Sequence, residues 1–329
     1  MSKKQNQTAE GTKAKKHSSN FLVELFKTKP LAGFGLVVLI LLVIVAILAD
    51  VIAPYPMVDG SLQIDAYNKL ASPSAAHLLG TDTLGRDLLS YMIYGARTSV
   101  ILCIACTIFS TLISVIIGVS SAVIGGTFDL CVQRFVDAWQ CIPSMLILLI
   151  LMSLMGNGMI QLIIAISVPG GIAGSRMVRS SAMSVKDAGY VKMSEMMGST
   201  AVWRMIRHVV PNIMPVIIIS MAGSLGGVVM QEASMNFLGY GVDVGTPSWG
   251  ALITDTGRMY MFSHPMLALA PGCAIALMVF CSAMLGDGVR DLLDPRLKGG
   301  VGNYNAKKLR KLAAKLMAKE QEESEAASA

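Results

Sequence analysis

The sequence predicts an all-α polytopic membrane protein: six transmembrane helices with a short amphipathic cytoplasmic helix between the fourth and the fifth. Three observations predict it. Of 329 residues, 53% are apolar and only 15% are charged, against roughly 25% charged in an ordinary soluble domain. The charges crowd at the ends, nine in residues 1–29 and sixteen in 287–329, which leaves 23 for the 257 residues between them. So few cannot make a water-facing surface, so a soluble enzyme, a disordered chain and a disulfide scaffold are excluded for the main body. Finally, five stretches contain no Asp, Glu, Lys or Arg: 30–49, 98–128, 138–175, 208–231 and 259–286.

In chain order, residues 1–29 form a basic cytoplasmic tail. The first span is placed at about 31–53. It is not a cleavable signal, because some thirty polar and basic residues precede it and its apolar run is too long. The second span lies at 98–124. The 38-residue stretch 138–175 would be about 57 Å long as one helix. Gly156-Asn157-Gly158 near its middle is strong turn chemistry, so it reads as a hairpin of spans 138–155 and 159–176. Spans 210–231 and 265–286 complete a membrane domain over 30–298, and 299–329 is a cytoplasmic C-terminal tail. With both ends inside, the cytoplasmic segments hold 23 of the 27 Lys and Arg, and Lys69, Arg86, Arg97 and Arg258 remain outside. The positive-inside rule favours that orientation.

The net charge of +6 suits anionic lipid headgroups rather than nucleic acid. In the C-terminal tail, Leu309, Leu312, Leu316 and Met317 share a face between basic residues, which predicts a helix on the inner leaflet; Glu320 to Glu325 reads as disordered. The six cysteines avoid the outside loops, so structural disulfides are not expected. Cys103 and Cys106 form a C-x-x-C inside an apolar span without further ligands, and read as buried thiols.

No H-E-x-x-H, P-loop or G-x-S-x-G occurs, so this chain binds no ATP by a P-loop of its own, and no cofactor or metal is assigned to it. An intramembrane enzyme would need paired catalytic residues in the spans. A secondary carrier or channel would need charged mid-depth relays or a filter-like loop. The spans instead carry Gly, Ser and Met, as in 221–227, which permit close helix packing or a tolerant pathway.

Residues 176–211 are the longest cytoplasmic loop between spans. Asp187 is expected to cap a helix, along which Tyr190, Met193 and Met197 form an amphipathic stripe. Gly198 can take φ > 0 and end it. Ser199 or Thr200 would cap a second short helix along the membrane face before Pro211 opens the fifth span. The coupling loop is therefore drawn at 187–207. A helix this short is marginal alone, so its stripe wants a partner's groove, unless it rests on lipid or on neighbouring spans.

Tyr190-Val-Lys-Met-Ser-Glu-Met-Met-Gly198, followed by Pro211, resembles the coupling loop of bacterial ABC importer permeases, whose pattern is E-A-A-x-x-x-G and then L-P. Lys192, Met193 and Ser194 stand at the E-A-A positions and depart from it; Gly198 and Pro211 match. The segments 80–87 and 95–97, 232–241 and 246–250, and 285–295 resemble, in order, the dipeptide/oligopeptide/nickel permeases, specifically the C-type second permease of the pair. The resemblance implies an ABC importer type I permease-like fold. It also implies a subunit without its own catalysis that translocates peptides, with nickel or another small solute as the alternative, across a bacterial or archaeal plasma membrane. The implied partners are a homologous B-type permease, two P-loop ATPase subunits holding ATP and Mg, and an extracytoplasmic peptide-binding protein. Tyr190, Lys192, Met193, Ser194, Met197 and Gly198 would contact the ATPase, with Lys192 meeting an acidic residue there. Asp82, Arg86, Asp87, Ser224, Gln231 and Glu232 are the candidates for gating or the substrate path. For Asp82, Arg86 and Asp87 the simpler reading is that they bracket an interfacial turn, and Glu232 could be an interfacial cap. Trp249 reads as an outer interfacial anchor, and Asp287, Arg290 and Asp291 as a solvated helix face.

Overall fold

The computed structural model describes residues 21–58, 61–243 and 245–293. The C-terminal tail readings lie outside them. Among the described residues, five helices are long and apolar enough to cross a membrane: Pro30–Ile47, Leu88–Ile124, Met159–Lys186, Ala201–Phe237 and Met266–Leu293. A sixth crossing exists only if Gly126–Gln140 and Ser144–Met155, which meet at 87°, are counted as one span.

An amphipathic helix α1 (Phe21–Thr28) leads into α2 (Pro30–Ile47), whose first turn holds a proline where a missing N–H is harmless. A short α3 (Ala49–Ile52) and a two-stranded antiparallel ribbon, β1 (Met57–Val58) with β2 (Ser61–Leu62), follow. Helix α4 (Leu88–Ile124) starts ten residues earlier than the absence of charge predicts. Arg97 is the reason. Its guanidinium donates to the Ala46 carbonyl at 2.8 Å and pairs with Asp50 at 2.7 Å. It thus satisfies the carboxyl-terminal end of α2, where cations are favoured, and does not interrupt α4.

The expected third span at 138–155 coincides with a bent helix pair. Helix α5 (Gly126–Gln140) carries Asp129, Arg134 and Asp137, and Pro143 separates it from α6 (Ser144–Met155). A proline disfavours helix in the residue before it, so the break falls there. Twelve residues span only about 18 Å, short of a bilayer core of about 30 Å. The glycine hairpin is where the turn chemistry puts it: Gly156 has φ 79°, Gly158 has φ 149°, and α7 (Met159–Lys186) follows.

Beyond α7 lie α8 (Gly189–Met196) and α9 (Ala201–Arg204). Helix α9 is not a separate surface helix. It runs through one π turn, Met205–Val209, into α10 (Val210–Phe237). The Val210 N–H reaches back five residues to the Met205 carbonyl. Pro211 brings no N–H to this turn, and a widened turn before it keeps the helix continuous. Then come α11 (Trp249–Leu252), α12 (Arg258–Tyr260) and α13 (Met266–Leu293).

Helices α4 and α7 pack along much of their length, as do α10 and α13. A Cβ at Gly118 would lie 2.6 Å from the Ser175 carbonyl of α7, and the Ser114 hydroxyl donates to the Gly171 carbonyl at 2.8 Å. Small residues thus bring backbones together where lipid supplies no hydrophobic drive. Large apolar side chains such as Leu41, Ile108 and Ile116 stay exposed, as a hydrocarbon surround permits. The main core gathers Leu102, Cys103, Cys106, Met152, Ile166 and Met235 between the helices. Cys103 and Cys106 are buried free thiols, and Cys131, Cys141 and Cys273 are exposed ones.

Candidate functional site

Helix α8 stands at the end of the bundle where α4 and α7 finish and α10 begins. Asp187 does not cap it: Asp187 closes α7, and the N-cap is Ala188, without a side-chain bond. The Asp187 carboxylate instead pairs with Lys192 Nζ at 3.2 Å, so the unexpected lysine of this loop has an acidic partner within the chain. Val191, 3% exposed, is the one buried residue of α8, whereas Tyr190, Met193, Met196 and Met197 are 49%, 65%, 87% and 78% exposed. Gly198 has φ 84°, and its N–H donates to the Glu195 carbonyl at 2.9 Å, ending the helix. The Ser194 and Ser199 hydroxyls bond at 2.8 Å across the turn. Thr200 caps α9 through the Trp203 N–H, and Arg204 pairs with Glu195 at 2.6 Å. The hairpin is therefore internally braced while its apolar side is open. Val202, Trp203 and Ile206 extend that open surface. The i, i+3, i+7 stripe missed Met196 and Trp203, although the doubled Met196-Met197 was a signal for a soft, adaptable contact patch.

The Asp82 to Asp87 turn is buried at the opposite end. Asp82 accepts the Leu84 and Arg86 N–H groups at 2.8 and 2.9 Å and the Arg86 Nε at 2.6 Å. The Arg86 guanidinium lies 4.8 Å from the Tyr91 ring centroid. Asp87 caps α4, accepting the Ser90 N–H and hydroxyl at 2.8 Å each, and faces His77 Nδ1 at 3.0 Å. Asp82 and Arg86 pair within the turn, and Asp87 is held by Ser90 and His77, which anchors the start of a long span.

Glu232 is 1% exposed and sits in a second buried group. One carboxylate oxygen accepts the Ser248 hydroxyl at 2.9 Å and the Asn236 amide at 2.6 Å; the other lies 3.4 Å from the Ser99 hydroxyl. The Asn236 side-chain oxygen accepts the Val242 N–H at 3.0 Å. Trp249 is corrected from an interfacial anchor to a core residue, 1% exposed, whose Nε1 donates to the Met92 carbonyl at 3.0 Å. It fits because Gly95 faces it; a Cβ there would lie 2.8 Å from the indole. The segment 239–252 is thus tied to both α4 and α10. Ser224 is exposed and bonds its own helix at Met221, and Gln231 is half-buried. Glu232 is held by Ser248, Asn236 and Ser99, and the Asp82 turn by Leu84, Ser90 and His77.

Two ion pairs were read in the sequence only as charge: Asp129 with Arg179, and Asp137 with Arg176. Arginines one turn apart towards the end of α7, with aspartates on α5, were the available signal.

Residues 110–299 match the binding-protein-dependent transport system inner membrane component family, and residues 24–73 match the N-terminal transmembrane domain of oligopeptide transport permease C. The chain belongs to this transport family. It is 32% identical over 83% of its length to the oligopeptide transport system permease protein OppC of Bacillus subtilis, covering 88% of that protein. It is 33% identical over 80% of its length to the glutathione transport system permease protein GsiD of Pectobacterium atrosepticum, covering 86% of that one. A chain of the MetNI methionine ABC transporter in inward-facing conformations superposes with a TM-score of 0.50 at 17% identity, over 61% of this chain and 96% of that one. That likeness establishes the permease fold alone. The open α8 hairpin and Glu232 with its partners Asn236 and Ser248 fall within the family's matched region, and Ser99 lies before it.

Proposed function

We propose that this chain is the C-type permease subunit of a peptide importer in a prokaryotic plasma membrane, with both termini cytoplasmic. It carries no catalysis of its own. Two separate P-loop ATPases bind ATP and Mg, a homologous B-type permease supplies the other half of the pathway, and an extracytoplasmic peptide-binding protein delivers substrate. Alternation between inward- and outward-facing states follows movement of α8 by the ATPases.

The observation that carries this reading is α8 itself. Eight residues do not make a helix that is stable alone in water, and this one buries only Val191 against its own chain. Its Tyr190, Met193, Met196 and Met197 surface is open, which suits a groove on another subunit. The charge asymmetry supports the orientation, and the names of the relatives, given for oligopeptide and glutathione transport, support a peptide substrate. The test uses the assembled importer: a Met193→Cys variant in a cysteine-free background should cross-link to the ATPase subunit, and Met193→Asp should abolish peptide uptake while the chain still inserts. Absence of the cross-link together with normal uptake by Met193→Asp would dismiss the assignment.

A further inference from the structure

Directly above α8, the end of α7 is clamped to the end of α4 by a polar cluster. Helix α4 stops at Gly125 and Gly126, both with positive φ, and the chain turns into α5. Asp129 on the first turn of α5 receives both Nε and Nη2 of Arg179 from α7, at 2.7 and 2.6 Å. The fully buried Ser121 of α4 donates to the same carboxylate, and Gln133 of α5 donates to the Ser121 hydroxyl at 2.9 Å. About two helical turns further along α7, Lys186 Nζ donates to the Ala122 carbonyl at 3.0 Å. That carbonyl belongs to the last turn of α4, where acceptors have no intrahelical partner. A second pair, Arg176 with Asp137, ties α7 to the other end of α5. Lys186 is the last residue of α7, and α8 begins at Gly189.

We infer that Asp129 and Arg179 are positioning residues for energy coupling: their bidentate pair makes α4, α5 and the cytoplasmic half of α7 one rigid lever, with α8 at its tip. The inference rests on the reading of α8 as the ATPase contact. The geometry supports a lever in preference to simple packing. A fork-to-carboxylate pair fixes orientation as well as distance. With Ser121 it joins three elements, and only two residues separate the clamp's last member, Lys186, from α8. Without the pair, α7 and α4 still touch through Gly118 and Ser175, so the bundle assembles, but a push on α8 bends the end of α7 and leaves α4 in place.

The experiment compares Asp129→Asn, Asp129→Glu and Arg179→Lys in the complete importer with its binding protein, in proteoliposomes. Peptide transported per ATP hydrolysed should fall about tenfold in Asp129→Asn, the order of a typical coupling between two sites. Arg179→Lys should lie in between, because a point charge cannot reproduce the fork; Asp129→Glu should restore most of the ratio. Assembly and the Met193→Cys cross-link should persist in all three. A wild-type ratio in Asp129→Asn overturns the inference. So does loss of assembly and cross-link along with uptake, which would make the pair a folding element only. If the cross-link is absent in the parent Met193→Cys protein, the α8 reading fails, and that failure is seen independently of the Asp129 variants.

Discussion

Gly198 allows the coupling assignment to be tested through backbone geometry alone. Its φ is 84°, and a Cβ built there meets no atom within 4 Å. A substitution therefore adds no clash, and its effect is conformational strain. A non-glycine residue in the left-handed region costs about 1–2 kcal/mol; Asn tolerates it best, and a β-branched residue is an outlier there. Taking about 1 kcal/mol for Ala and about 2 for Val, the properly turned hairpin loses roughly 5-fold and 30-fold in relative population. Peptide uptake and substrate-stimulated ATP hydrolysis, measured together in proteoliposomes, should fall in the order Asn, Ala, Val. The amount of inserted chain should not change, because the long helices are untouched. Full uptake by Gly198→Val, or an Asn variant as impaired as the Val variant, would refute the argument that a left-handed turn sets α8 against its partner.

Topology is tested in a cysteine-free background with single cysteines at three highly exposed positions, Tyr67, Phe262 and Met196. An impermeant thiol reagent added outside should label the first two and spare the third; the reverse pattern would invert the orientation. Glu232→Gln keeps an oxygen for Ser248 and Asn236 and a donor for Ser99, so its melting temperature in detergent should stay near that of the parent. Glu232→Ala strands those donors and should lose about 1–3 kcal/mol; equal loss in both would mean that the negative charge itself is required. Trp249→Ala removes a fully packed indole and its bond to Met92, and should cost about 3–5 kcal/mol. A melting point within a degree of the parent would show that the 239–252 segment is not held by this side chain.

Composition and the spacing of charges were enough to determine the class of the protein, the number of its apolar segments and the site of the 156–158 hairpin. A membrane span must be apolar over its length, and a sharp reversal needs residues that accept positive φ. The short helix α8 and its glycine end were also legible, because an amphipathic stripe ending in glycine is a local pattern. Helix boundaries were not. Arg97 looks like an interruption until its guanidinium is seen on the carbonyls of α2, and Pro211 looks like a fresh start until the π turn is seen to bridge it. The roles of Asp129, Glu232 and Trp249 belong to the tertiary structure. Each is decided by a partner on another element, in Glu232's case Ser99, 133 residues away. A buried polar group is tolerated only where such a partner meets it. Local pattern can mark a side chain as out of place in hydrocarbon, but only the packed bundle shows which distant donor keeps it there.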